Sequence, residues 1–457
     1  MKKNAFKALS LVLIFITVFC MSGCSLNFFS IESMLSPPRL HGKNGEVQKA
    51  FYELMSAKNI KLKTPAKGDF KSSFILRDLN GNGEEEALVF YSDSGVDTSV
   101  RLCLLESVND TWVIASDIKG MGSGVYGVEF CDFNNDGKTE ILVGWSLFEN
   151  KSARSVCAYS IEDGDNGVLT LKALLNEYYT SHIVADLDNN GLDDLIILYL
   201  DDTAEQPKTY FRAFSFTGGS EMFKFSELNL DSAAISVAGI NSDTVKVENN
   251  DVTRIVIDFY KTENSVFTEV VHWNKSKLKS VNVIKNASVT TVRNSGVLTD
   301  DIDHDGKYEV PVPEKVNIND GEISAKVGKE TYSFVKFKWL NVYGDVSEGN
   351  VYTVYNPVHN YLFKISNDNK MTVRFDIYRN ALVFYDWNFA VNNVGQELFS
   401  VSYFENNAPA DTSGLIQLFT GENGKYYYSI TEKGETVYKI TENYVKSSFI
   451  TNDGGTL

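Results

Sequence analysis

The sequence predicts a mainly β fold of repeated four-stranded units, with a small α+β region at its C-terminal end. Three observations carry this. An acidic nine-residue pattern recurs at near-constant spacing, and a strand-like run follows every copy. Aromatics make up 12% of the 457 residues against only 8 prolines, a balance that suits well-packed sheets.

The copies are "DLNGNGEEE" (Asp78, Asn80, Asn82, Gly83, Glu86), "DFNNDGKTE" (Asp132, Asn134, Asp136, Gly137, Glu140), "DLDNNGLDD" (Asp186, Asp188, Asn190, Gly191, Asp194) and "DIDHDGKYE" (Asp301, Asp303, Asp305, Gly306, Glu309). Each reads D-x-[DN]-x-[DN]-G-x-x-[DE], with Leu79, Phe133, Leu187 or Ile302 at position 2. The first three start 54 residues apart, and the fourth starts 115 residues after the third. That gap is about two periods, so a degenerate copy is expected between them. "KVENNDVTRIVIDFY" fits, with Lys246 at position 1, Asp251 in place of the glycine and Arg254 at position 9. These cations exclude a divalent metal, and an internal pair of Arg254 or Lys246 with Glu248 or Asp251 is expected instead. A fixed period in this range marks stacked or radially arranged units.

Residues 1–23 read as a signal peptide: Lys2, Lys3 and Lys7, an apolar run, then small residues before Cys24. "MSGC" resembles a bacterial lipoprotein box, which implies a lipid on Cys24 and a chain held on the outer face of a cell membrane. Residues 24–71 form a tether and one helix, with Val47, Phe51 and Leu54 at helical spacing. From 72 to 355 each unit offers four strands, as a propeller blade needs. In the second unit these are "SGVYGVEF", "EILVGW", "ARSVCAYS" and "VLTLKALL". Counted this way there are about five blades, with six or seven possible. Residues 356–457 lack the acidic loop and read as a small α+β domain. It includes a hairpin at "GENGKYYY" and a final helix at "TENYVKSSFI".

The net charge of −17, moving to −20 once the three leader lysines are removed, argues against a nucleic-acid partner. Cys103, Cys131 and Cys157 give no C-x-x-C pair and read as buried thiols. The five histidines have no zinc spacing. His182 precedes Asp186 by four residues, as an acid/base partner would, but on a strand entering the loop it reads as packing. His304, at position 4 of its loop, should point outwards. Trp145, Trp273, Trp339 and Trp387 sit in strand-like runs and read as core rather than as a sugar platform.

Oxygen side chains at positions 1, 3 and 5 of a tight turn converge on one point, which suits Ca²⁺ better than Mg²⁺. An EF-hand needs an acid at position 12, and Val89, Val143, Ile197 and Val312 stand there. The pattern instead resembles the FG-GAP (VCBS, integrin-α-like) repeat, whose loop joins the first two strands of a propeller blade. The resemblance implies structural calcium at Asp78, Asn80, Asn82 and Glu86 and at the equivalent residues of the other three loops. It also implies a surface-anchored, calcium-stabilised protein that binds an extracellular protein or glycan without catalysis. The alternative is an extracellular lyase or glycosidase acting on polysaccharide, since such propellers accompany both.

Overall fold

The computed structural model describes residues 42–451, apart from short stretches at 57, 95–96, 148–152, 165–166, 203–207, 275, 283–289, 344–345, 406–412, 422 and 432–437. The leader and Cys24 lie outside the described residues. Among the described residues no helix is long and apolar enough to cross a membrane. The chain forms two compact units, Met1–Ser56 and Ala57–Leu457. The first holds the expected helix, Lys43–Leu54. Its inward stripe is Val47, Phe51 and Met55, one residue every four; Leu54, expected inside, is 47% exposed.

Among the described residues, the second unit is built of six antiparallel sheets in chain order. The first contains Phe74–Arg77, Glu86–Asp93, Asp97–Val108 and Thr111–Lys119, with Ile60–Leu62 added beside Glu86–Asp93. The second contains Gly124–Cys131, Glu140–Ser146, Arg154–Asp163 and Leu169–Tyr179. Ser181–Ala185, Asp194–Asp201, Lys208–Ser215 and Phe223–Leu230 make the third. Ser236–Val247, Asn250–Thr262, Ser265–Asn274 and Lys277–Asn282 make the fourth. The fifth contains Val310–Glu314, Glu330–Tyr343, Val346–Asn356 and Tyr361–Ile365, with Ile323–Val327 added beside Glu330–Tyr343. Met371–Asp376, Ala381–Asn388, Asn393–Glu405, Gly424–Ile430 and Ile416–Thr420 form the sixth.

Within a sheet the central strands are apolar on both faces, as Glu86–Asp93 and Asp194–Asp201 illustrate; for Asp194–Asp201 this is because its sheet packs against a neighbour on either side. Ile75, Leu88 and Phe90 of the first sheet meet Val125, Ile141 and Trp145 of the second. Leu142 and Val156 then meet Leu195, Ile197 and Phe214 of the third. The series continues with Ile196 and Leu198 against Ile255 and Ile257, and with Val256 and Val270 against Val310 and Leu340. Last, Val354 and Phe363 pack on Phe384 and Phe399. Meandering four-stranded sheets stacked face on face are the blades of a β-propeller.

The C-terminal hundred residues supply the sixth sheet, which is why the count exceeds the acidic copies. The hairpin of Ile416–Thr420 with Gly424–Ile430 is present, and the final helix is Glu442–Ser448, capped by Thr441. The chain then returns as a strand, Phe449–Thr451, pairing with Tyr361–Phe363 of the fifth sheet. Trp145 and Trp339 are fully buried, and Cys103 and Cys157 are buried free thiols, with Cys131 half-buried.

Candidate metal loops and a cavity at the opposite end

The four acidic copies fold alike. Each connects two strands, or in the fifth sheet an isolated bridge Asp300–Glu309 to the strand that follows. The position-1 carboxylate bends back over its own backbone. Its Oδ2 accepts from the glycine N–H at 2.8, 2.9, 2.9 and 2.9 Å at Asp78, Asp132, Asp186 and Asp301. Oδ1 takes a second N–H, from Gly81, Asp136, Asn190 and Asp305 respectively. The position-5 oxygens of Asn82, Asp136, Asn190 and Asp305 each accept the N–H two residues on. Such a curl needs left-handed backbone at the glycine, and φ is 87°, 82°, 89° and 85° at Gly83, Gly137, Gly191 and Gly306. Position 4 is left-handed too, at Asn135, Asn189 and His304, and His304 is exposed as expected.

The position-9 acid closes the loop from inside. Glu86, Glu140, Asp194 and Glu309 accept the position-2 N–H of Leu79, Phe133, Leu187 and Ile302 at 2.9, 3.0, 3.1 and 3.2 Å. Each of these apolar residues is buried and anchors the loop to the core. Burial raises the pKa of Glu86 and pushes Glu140, Asp194 and Glu309 up to about 7; neighbouring carboxylates add to the effect.

The loops differ at position 3. Asp188 and Asp303 supply a third carboxylate, and the groups Asp186–Asp188–Asp194 and Asp301–Asp303–Glu309 bring ligand oxygens within 4.8 Å of one another. These two clusters could hold a metal ion. Asp194 carries the sharper signal: it is fully buried, and its Oδ1 has no well-formed hydrogen bond. The nearby Ser215 hydroxyl only tempers the shift. In the fifth sheet Lys307 pairs with Asp305 at 2.5 Å and competes for that ligand. Asn134 takes position 3 in the second loop and donates to Asp136 at 3.0 Å. In the first loop the Asn80 amide donates to Glu86 at 3.0 Å, so an N–H stands between positions 3 and 9.

Adjacent loops touch. Thr139 N–H donates to Leu79 O at 2.8 Å, Asn135 Nδ2 to Gly191 O at 3.1 Å, and Thr253 Oγ1 to Asn189 Oδ1 at 3.2 Å. The loops therefore line one end of the sheets.

The fourth sheet departs from expectation. The hairpin stays paired to Val247–Asn250 and closes through Glu248 and Asn249, both left-handed, in a two-residue turn. No nine-residue loop exists there. Arg254 pairs neither with Glu248 nor with Asp251 but with Asp243, its cross-strand partner, with Nε to Oδ1 at 2.8 Å. Both charges are buried. Periodicity had placed the acid in the turn; hairpin register puts it directly opposite, on the core face.

At the other end of the sheets lies a cavity of about 860 Å³. Its place follows from register. In the third sheet Ala185 pairs with Asp194 at the loop end, Ser181 with Leu198 further along, and Asp201 and Lys208 close the next turn. The cavity is lined there by Ser181, His182, Asp201 and Lys208 together with residues of the second and fourth sheets. His182 Nε2 lies 3.2 Å from Glu129 Oε1 of the second sheet, which holds the Glu129 carboxyl below its usual range. His182 thus lines the cavity and also packs, as its sequence position suggests, edge-on against Tyr179 at 5.3 Å between ring centres. Tyr178 and Tyr199 also line the wall. Sequence reasoning missed them; tyrosines clustered at strand ends were the available signal.

No family profile matches the chain, and no curated protein matches it. Among solved structures, the periplasmic gluconolactonase of Pseudomonas aeruginosa aligns at 10% identity and a TM-score of 0.26, over 74% of this chain and 88% of that one.

Proposed function

We propose that the protein is a calcium-stapled β-propeller of the FG-GAP kind, lipid-anchored through Cys24 on the outer face of a cell membrane, that binds an extracellular protein or glycan without catalysis. The observation that carries the calcium reading is Asp194, a buried carboxylate with one oxygen lacking a well-formed hydrogen bond, facing Asp186 and Asp188. An uncompensated buried charge of this kind is costly, and a divalent cation removes the cost. All the donors are oxygens, from carboxylates and Asn amides, the set a hard cation of flexible geometry takes. The donor sets rank the loops. Asp186 comes first, Asp301 second because of Lys307, and Asp132 and Asp78 follow because neutral amides replace a carboxylate.

When bound, the ion supplies positive charge that neutralises the carboxylates and fixes the turn. The chain's own groups do the rest: position 9 holds the buried N–H, and position 1 shapes the curl. The test is melting of the full chain in detergent, with EDTA and with millimolar Ca²⁺. A site binding only the folded state contributes about 2.7 kcal/mol at one hundred times its dissociation constant. The expected outcome is a higher melting temperature in Ca²⁺, reduced in Asp194→Asn. Equal melting temperatures in both buffers refute structural calcium. Turnover of a polysaccharide by the purified chain would replace binding with catalysis.

A further inference from the structure

We propose that the cavity at the end opposite the acidic loops is a carbohydrate site, with Tyr178 and Tyr199 as the stacking platform and Glu129, His182 and Tyr179 as the groups that read hydroxyls. The proposal rests on the binding reading above and names its ligand class.

Four features point to a ligand. First, the volume of about 860 Å³ falls at the upper end of what small-ligand pockets hold. Second, Tyr178 is 58% exposed although it lines the cavity and stacks on Tyr199 at 6.1 Å between ring centres. Tyr199 stacks in turn on its cross-strand partner Tyr210 at 6.3 Å. The Arg212 guanidinium sits over both Tyr199 and Tyr210 and is itself held by Glu177 and Glu227 at 3.0 Å each. The platform is therefore braced before any ligand arrives, which lowers the ordering cost of binding.

Third, the wall holds a polar group without a partner. Tyr179 is only 3% exposed, and its hydroxyl makes no hydrogen bond. It is packed so closely on Gly144, another lining residue, that a Cβ there would sit 2.3 Å from the oxygen. A buried, unpaired hydroxyl is expensive unless something supplies the bond. Fourth, two inner strands carry a β-bulge at the cavity. Pairing skips Tyr126 between Val125–Trp145 and Gly127–Gly144, and skips Ala238 between Val237–Phe259 and Gly239–Asp258. Both skipped residues line the cavity. Bulges re-aim side chains and gather beside functional sites.

The chemistry selects the class. A pyranose has an apolar C–H face and an edge of hydroxyls that both donate and accept. An open tyrosine face matches the first. Glu129 accepts and a ring N–H of His182 donates; the Tyr179 hydroxyl, closed off against Gly144, does either where a ligand displaces that contact. The charges on the wall are mixed, with Lys67 and Lys208 balanced by Asp201 and Asp202, so no strong field selects an ion.

The experiment is an oligosaccharide array carrying neutral and uronate-containing chains, probed with the full chain in detergent. We expect a defined set of neutral chains to bind. Tyr178→Ala should weaken binding about tenfold, as loss of a central aromatic contact does. Tyr178→Phe should retain it, and Glu129→Gln, which keeps the shape but removes the charged acceptor, should weaken it. Binding to no oligosaccharide overturns the proposal, as does binding that neither Tyr178→Ala nor Glu129→Gln alters. Exclusive binding of uronate chains also overturns it. Calcium-dependent melting of the same samples separates the two readings. A calcium shift without sugar binding removes this site alone, and Tyr178-dependent sugar binding without a calcium shift removes the metal reading alone.

Discussion

Arg254→Met should be among the most damaging single substitutions in the chain. Arg254 is fully buried and Asp243 is 8% exposed. The guanidinium makes two bonds to Asp243, one through Nε at 2.8 Å and one through its terminal nitrogen. It also donates to Asn341 Oδ1 at 2.6 Å, Val342 O at 2.7 Å and Tyr308 O at 3.2 Å. Asp243 in turn accepts the Tyr308 N–H at 2.6 Å, and Tyr308 is position 8 of the fifth sheet's acidic loop. One pair thus ties the fourth sheet to the fifth. Removing the cation leaves a buried carboxylate with a single N–H partner, a change of about 3–5 kcal/mol. The orphaned acceptors at 341, 342 and 308 place it at the upper end. Asp243→Leu with Arg254→Met removes both charges and should recover about half of the loss, because a buried pair is worth little against apolar groups of similar volume. Urea unfolding in excess Ca²⁺ measures it, through the midpoint at constant slope. Lys446→Met, which breaks the exposed pair with Glu442 away from the acidic loops, is the control and should change stability by about 1 kcal/mol or less. A loss below about 1 kcal/mol in Arg254→Met, or a double variant worse than the sum of the singles, would refute the reasoning.

Three further outcomes follow from the loops. In EDTA at pH 8, Asp194→Asn should stabilise the protein by about 1–2 kcal/mol, since it removes a charge that burial, Asp188 and Asp186 all oppose; chemical unfolding with and without the substitution reads this directly. In EDTA, wild-type stability should fall between about pH 4.5 and pH 7. Over that window Glu140, Asp194 and Glu309 keep in the folded state a proton that the unfolded chain has lost, so stability present below the unfolded pKa disappears as pH rises through the folded one. His272 and His359, whose pKa burial lowers to about 4, oppose this below about pH 6.5, so the fall should be steepest between about pH 6.5 and 7; a stability that rises there contradicts it. Gly81→Ala should cost more than Gly83→Ala: both glycines are left-handed, but a Cβ at Gly81 would meet Gly137 O at 2.4 Å, whereas nothing lies within 4 Å of one at Gly83. Equal melting temperatures for the two variants would show that the loops do not pack as described.

The acidic loops were legible in the sequence because the residue types that bind a cation also build the turn. Asp78, Gly83 and Glu86 each have one backbone task that tolerates few replacements, so type and spacing survive together. The strands after each loop were legible for a similar reason: runs such as "LIILYL" are apolar on both faces, which only a strand between two sheets explains. The partner of Arg254 was not legible. Which acid faces a strand residue depends on where the hairpin closes, and a two-residue turn displaces the pairing from the register that the repeat suggests. The sixth sheet escaped the repeat count because it carries no acidic loop to mark it. The cavity escaped too. Tyr178 and His182 stand four residues apart, but Glu129 and Tyr199 join them only through the pairing and packing of the sheets.

The hydrogen bonds of the loops bear on what a bound calcium would do for this fold. A turn held only by its ion would unfold without it, as small metal-dependent domains do. Here the position-9 acid already holds the position-2 N–H, and the position-1 acid already holds the glycine N–H, in all four loops. The turn therefore has its own framework. What it lacks is compensation for the charges that framework gathers, most acutely at Asp194. Metal binding should add stability to a formed loop rather than create it. Because Thr139 reaches Leu79 and Asn135 reaches Gly191, stiffening one loop restrains the next. A bound ion's effect would then be spread along one end of the sheets, while the opposite end is left to shape the cavity.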